Sequence, residues 1–338
     1  MAALALVAAP LAARPVDWPT RFDDIGPEVR TLTAPSGRTV HYADTGEPGW
    51  RAVLYIGGTG TSARAMLMTG YLDTLRKRLK IRLISVERNG FGDTAFDRGW
   101  TIAEYPDEVR AVLGHQKIAK FAIVAISGGG PYAAHVAAAM PDRLISLHFA
   151  AALADVMPDG AARCAADPAT LAKALAPTVQ DPRKWWAFPG GSPTHAIPGF
   201  ADRARDEGAR AFFIAGQMGD AAPEAAEMLR YCQSHLADLP LGTVRAPVFT
   251  YYGLADPLVT PANAARWHAL IPGPATSRTW PGEGHDVQYR HWDQILVDIA
   301  GLSGTGPAAR TLVCSKGKAQ LVRQMPKSAT AGLCLWQR

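Results

Sequence analysis

The chain has 338 residues, of which 48% are hydrophobic and 19% charged, a globular composition that excludes long disorder and supplies ample core. Its net charge of +5 is local: residues 302–338 carry six cations and no acid, so the rest of the chain is near neutral and no nucleic-acid partner is expected. The longest uncharged apolar run, Met1 to Ala13, is too short to span a bilayer. Small residues at Val7 to Ala9 leave export open, but the basic region of a secretory signal is missing, which favours a cytoplasmic location.

Residues 29–35 and 38–45 alternate around Pro35-Ser36-Gly37 and predict a hairpin. Arg51 to Gly57 reads as a buried strand ending in glycines, residues 62–80 as a helix, and Ile81 to Glu87 as the next strand. Thr101 to His115 places apolar residues at helical spacing with acids early. Phe121 to Ile126 is another buried strand and runs directly into Ser127; Gly128 to Met140 is an Ala-rich helix and Leu144 to Leu153 an apolar strand. Between residues 155 and 241 the rhythm breaks into irregular helical pieces. It then resumes with Pro247 to Gly253 (strand), Pro261 to Ile271 (helix), Ala275 to Trp280 (strand) and Asp286 to Ile299 (helix). Such alternation predicts an α/β fold with a mostly parallel, eight-stranded sheet flanked by helices.

The segment F-A-I-V-A-I-S-G-G-G-P-Y-A-A, Phe121 to Ala134, carries the strongest chemical signal. Ser127 lies between small residues at −2 and +2, Ala125 and Gly129, after a buried strand and before a helix. A sharp turn there lifts the hydroxyl clear of the backbone, and the helix N-terminus aims free N–H groups toward it. The competing reading, a phosphate-binding glycine turn, lacks both the Lys-[ST] ending and the G-x-G-x-x-G spacing.

Ser127-Gly-Gly-Gly-Pro-Tyr132, with V-E-R-N-G-F-G-D-T at Val86 to Thr94, resembles the α/β-hydrolase superfamily in its lid-bearing, serine-esterase-like branch. The resemblance covers about Val29 to Gly301 and implies the order nucleophile, acid, histidine. It places Ser127 as nucleophile, Asp256 (Y-Y-G-L-A-D-P-L-V) as acid and His285 (W-P-G-E-G-H-D) as base. Asp155 is the alternative acid, and Asp256 read alone fits an Asp-Pro turn. The oxyanion donors implied are the N–H groups of Gly128 and Thr59, with Gly58 the neighbouring choice; Gly57 stands where the family often has histidine. A serine at the elbow sets aside the aspartate-nucleophile relatives.

The domain reading is an N-terminal segment (1–28), a core (29–154 and 242–301), a helical lid (155–241) and a basic appendage (302–338). Trp185 and Trp186 are candidates for an apolar pocket roof, with packing of the lid onto the core the competing account. No C-x-x-C or H-E-x-x-H occurs, so no metal or cofactor is expected. In an oxidising compartment, the runs holding Cys314 and Cys334 would pair as strands and join their sulfurs. The expected activity is hydrolysis of a small apolar carboxylic ester, a lactone included. Acyl transfer or amide hydrolysis by the same residues is the alternative, and a non-catalytic ligand-binding relative the reading from another class.

Overall fold

The structure, a computed structural model, describes residues 27–154, 164–180, 220–323 and 330–331. Eight strands form one sheet: β1 (Val29–Thr33), β2 (Thr39–Asp44), β3 (Arg51–Ile56), β4 (Ile81–Val86), β5 (Phe121–Ile126), β6 (Leu144–Ala150), β7 (Val248–Gly253) and β8 (Ala275–Trp280). Their spatial order is β1-β2-β4-β3-β5-β6-β7-β8. The pairs β1/β2 and β2/β4 are antiparallel, and every later neighbour is parallel. Strands β4, β5 and β7 are buried at every position; β5 (F-A-I-V-A-I) accordingly reads as an unbroken apolar run rather than an alternating one, while β4 buries Arg82 and Ser85 and β7 buries Thr250. Strand β8 closes one edge and alternates exposed and buried residues.

The helices are α1 (Asp73–Arg78), α2 (Tyr105–His115), α3 (Gly129–Ala139), α4 (Pro168–Gln180), α5 (Ala222–Gln233), α6 (Ala262–Leu270), α7 (Val287–Arg290) and α8 (Trp292–Ile299). They leave a core on each face of the sheet. One contains Val109, Tyr132, Val136, Phe149 and Trp267, the other Val53, Tyr55, Val124, Trp292 and Leu296. The Trp267 ring stacks on Phe149 at 3.8 Å and donates its Nε1–H to the Ala152 carbonyl, so the indole buries its area without stranding its polar atom.

Three predicted elements differ in detail. The helix expected over 62–80 is a 3₁₀ segment, Ala63–Leu72, followed by the short α1. Thr69 turns its hydroxyl back onto the Met66 carbonyl at 2.7 Å and Gly70 follows it, two choices that compete with a regular α-helix. The strand expected to reach Leu153 stops at Ala150, because Ala151 adopts φ 44° and turns the chain. The last helix breaks at His291, whose imidazole is drawn onto Glu283 and stacks on Trp280 at 3.8 Å.

In the inserted stretch between β6 and β7, α4 packs on α5, and Cys164 is bonded to Cys232. That disulfide was not foreseen. At the C-terminal end β9 (Thr311–Ser315) pairs with β10 (Lys318–Val322) and β11 (Thr330–Ala331), Thr330 standing opposite Cys314; of the second apolar run only Ala331 is described. Cys314 is in disulfide linkage; Cys334 lies outside the described residues.

Candidate active site

In an open parallel sheet, ligands gather beyond the carboxyl ends of the strands, where the strand order reverses. Here that point lies between β3 and β5, since β4 sits on one side of β3 and β5 on the other. The glycine-rich loop follows β3 and Ser127 follows β5, so the topology alone brings the two together.

Ser127 has φ 50°, the left-handed region that side chains seldom enter. The turn is pinned through its own carbonyl, which accepts from Gly130 N–H at 3.1 Å and Leu153 N–H at 2.8 Å. The glycines after it answer to space. A Cβ on Gly129 would stand 2.6 Å from the Ile56 carbonyl oxygen, and one on Gly128 would stand 2.2 Å from Thr59 Oγ1. Only bare backbone fits between β3 and the elbow.

Asp256 lies just beyond β7, and its side chain is fully buried. Oδ1 accepts from the N–H groups of Leu258 (2.8 Å) and Val259 (3.0 Å), which is the turn that an Asp-Pro sequence predicts. Oδ2 remains and receives His285 Nδ1 at 2.8 Å. The turn and the acid are therefore one carboxyl using both oxygens. His285, in the loop after β8, places Nε2 3.0 Å from Ser127 Oγ. With the proton on Nδ1, Nε2 is left to accept from the serine hydroxyl. Such a row can draw a proton from the hydroxyl as it attacks an electrophile, and can return it to a leaving group.

Thr59 and Gly128 are neighbours across the elbow, and among the described residues no acceptor takes the N–H of either. A Cβ on Gly58 would lie 3.2 Å from Ser127 Cβ, so the loop passes directly over the serine. Thr59 Oγ1 lies 3.1 Å from the hydroxyl of Tyr231 on α5.

Ser127, Asp256, His285, Gly128 and Thr59 lie together, while Trp185, Trp186 and Asp155 lie outside the described residues. Sequence reasoning missed Tyr231, Arg88 and Glu227. Tyr231 borders Gly128 and packs edge-on against Tyr132; Arg88 and Glu227 form a buried ion pair beneath the Thr59 loop. The available signal was the charge pair Glu87-Arg88 at the end of a fully buried strand. Burial pushes the Glu87 carboxyl up to about 8, against the Ala63 N–H it accepts. A cavity of about 290 Å³ is lined by Pro131, Leu153, Cys164, Tyr231 and Arg266, but by neither Ser127 nor His285. Among the described residues no cluster of His, Cys, Asp or Glu could hold a metal ion, and no helix is long and apolar enough to cross a membrane.

No protein-family model matches the chain, and no curated protein matches it by sequence. Solved structures do resemble it. A carboxylesterase of the thaumarchaeon Nitrososphaera gargenis aligns with TM-score 0.63 at 18% identity, over 81% of this chain and 98% of that one. A hydrolase of Pseudomonas aeruginosa gives 0.59 at 18% identity, over 82% and 98%. An enol-lactonase of Burkholderia xenovorans gives 0.57 at 17% identity, over 81% and 99%. Strand order, the elbow after β5 and this likeness agree: the chain has the α/β-hydrolase fold.

Proposed function

We propose that the protein hydrolyses carboxylic esters of small apolar molecules through an acyl-enzyme on Ser127. The observation that carries this reading is the row Asp256–His285–Ser127, with contacts of 2.8 and 3.0 Å, beside two backbone N–H groups that have no acceptor among the described residues. His285 takes the hydroxyl proton as Ser127 Oγ bonds to the ester carbonyl carbon. Asp256 holds the imidazole in its tautomer and stabilises the imidazolium that forms. The carbonyl oxygen gathers negative charge, and Gly128 and Thr59 donate to it. His285 then protonates the departing alcohol, and a water that it activates releases the acid. A carboxylesterase and an enol-lactonase among the structures of similar fold favour an ester, cyclic or open, as substrate class.

A fluorophosphonate probe tests the nucleophile. It is expected to add one phosphonyl group per chain to the wild type and none to Ser127→Ala, read by intact mass. A parallel series of p-nitrophenyl esters of graded chain length is expected to turn over and to lose about 10⁴-fold or more in Ser127→Ala. Equal labelling of both proteins would sink the proposal.

A further inference from the structure

Arg88 belongs to the V-E-R-N-G-F-G-D-T segment, and the chemistry above gives it nothing to do. It is nonetheless buried at the end of β4 with its guanidinium against the loop that carries Thr59. Nη2 donates to the carbonyls of Gly58 (2.7 Å) and Thr61 (2.9 Å) and to Thr61 Oγ1 (3.0 Å), and Nη1 donates to the Gly57 carbonyl (3.3 Å). Nη1 also lies 2.8 Å from Glu227 Oε1, an ion pair whose alignment is not that of a hydrogen bond. Glu227 comes from α5, in the inserted stretch, and its other oxygen accepts the Gly60 N–H at 2.8 Å.

We infer that Arg88 and Glu227 are a positioning pair that aims the Thr59 N–H at the developing oxyanion, an inference that rests on the ester-hydrolase reading. The Gly58 carbonyl and the Thr59 N–H are opposite ends of one planar trans peptide. Gripping the oxygen from below points the N–H the other way, toward the serine. The next peptide joins Thr59 C=O to Gly60 N–H, and Glu227 grips that one by its nitrogen. Both planes flanking Thr59 are therefore held by charged groups at two glycines, and the Gly58 carbonyl also accepts the Thr61 hydroxyl (2.8 Å) and N–H (3.3 Å), which close the turn. Polarisation adds to position: a cation on the Gly58 oxygen makes the Thr59 N–H a stronger donor. The charge is held in place. Burial by itself would lower the Arg88 guanidinium, and the Glu227 carboxylate beside it, together with Tyr231, Tyr132 and Tyr105, more than reverses that. The rings of Phe91 and Tyr132 lie 5.4 and 5.2 Å from it. The Cys164–Cys232 bond ties the end of α5 to the start of the described inserted helices, so the carboxylate has a fixed base.

Two variants divide the two functions of Glu227. Glu227→Gln keeps the shape and an acceptor for Gly60 but removes the charge opposite Arg88. Glu227→Asp keeps the charge and withdraws the acceptor by one methylene; should the first variant not accumulate folded, the second carries the same readouts. Each is compared with wild type for hydrolysis of p-nitrophenyl acetate and for inhibition by an alkyl trifluoromethyl ketone, which adds to the serine as an oxyanion. A loss of about 10- to 100-fold in kcat is expected, with KM within about threefold and the ketone inhibition constant raised in proportion to the loss in kcat/KM. A fall in kcat with the ketone affinity unchanged, or no change in either, overturns the inference. Wild-type protein inert to every ester and to the ketone would instead overturn the ester-hydrolase reading, and this inference with it, before any variant is made.

Discussion

Ser146, His148, Tyr251 and Asp298 form a hydrogen-bonded row inside the sheet, much as Ser127, His285 and Asp256 form one at its edge. In the inner row Ser146 Oγ meets His148 Nε2 at 2.8 Å, His148 Nδ1 meets the Tyr251 hydroxyl at 2.9 Å, and that hydroxyl donates to Asp298 at 2.8 Å. The proton pattern matches that of the outer row, with Nδ1 donating and Nε2 accepting from serine. Everything around it differs. His148 and Tyr251 are wholly buried, and Ser146 sits inside β6 where its register against β5 shifts by one residue. Ser127 is partly exposed, at a left-handed turn, between backbone N–H groups that meet no acceptor among the described residues. Burial, with Arg278 and Arg51 adding to it, pushes His148 down to about 3, so its imidazole is a fixed neutral spacer. A hydroxyl, an imidazole and an acid in a row are thus a motif of stability in one place and a proposed engine in the other. Exposure and spare donors make the difference.

The largest test of this contrast exchanges the two acids. Asp256→Asn is expected to lower kcat by about 10³- to 10⁴-fold while leaving the unfolding midpoint nearly in place, because the amide holds His285 in the wrong tautomer. Asp298→Asn is expected to do the reverse. Its carboxylate is held bidentate by Arg278 at 2.7 and 2.8 Å and also accepts from Tyr251 and Gln294, so neutralising it leaves a buried guanidinium uncompensated. A loss of about 3–5 kcal/mol in urea unfolding should follow, with kcat per folded molecule unchanged. Activity lost in Asp298→Asn at full folding would erase the distinction.

The same contrast explains what could be read without coordinates. The outer row was legible because each member sits at the end of a strand in a local pattern with a mechanical meaning: Ser127 before three glycines, Asp256 ahead of Pro257, His285 between glycine and Asp286. The central strands were legible because burial on both faces keeps most of their positions apolar, as throughout β5. The inner row was not, since Ser146 and His148 inside an apolar run look like interruptions, and their partners come from β7 and α8. Arg88 and Glu227 failed for the same reason: an ion pair between distant elements leaves no spacing to recognise. Cys164 and Cys232 sit in helical surroundings with no matching strand runs, unlike Cys314, so nothing local announced their bond.

A smaller effect separates the rows by pH. His148 titrates near 3 when folded and near 6.5 in an unfolded chain, so the folded state binds fewer protons between those values. Its contribution to stability is complete above pH 6.5 and is lost as pH falls toward 3. Between pH 7 and 4 the loss is about 3 kcal/mol, at about 1.4 kcal/mol for each pH unit crossed below 6.5. Glu87, Glu108 and Asp293, held by burial at about 8, 7 and 6, act in the opposite sense, their cost fading as pH falls. The measurement is therefore a difference. The stability gap between wild type and His148→Gln should shrink by about 3 kcal/mol from pH 7 to 4, a range over which the three carboxyls cancel. A gap independent of pH would mean that His148 is not held neutral.

The smallest effect belongs to Ser146→Ala, and it bears most directly on what a serine beside a histidine is worth. The substitution removes the one hydroxyl that His148 Nε2 meets among the described residues and leaves a buried ring nitrogen unsatisfied. That costs about 1–2 kcal/mol of stability, because the nitrogen loses its partner without regaining water. No strand ladder is broken, since the backbone of β6 pairs with β5 and β7 whatever its side chains. Ester turnover per folded molecule should match the wild type, and fluorophosphonate labelling should remain complete. Ser146 could shape the reaction only by shifting β6, beyond whose end the Leu153 N–H pins the Ser127 carbonyl. A measurable fall in kcat would therefore reveal strain transmitted along β6 to the elbow, and the two rows would have to be treated as one mechanical unit.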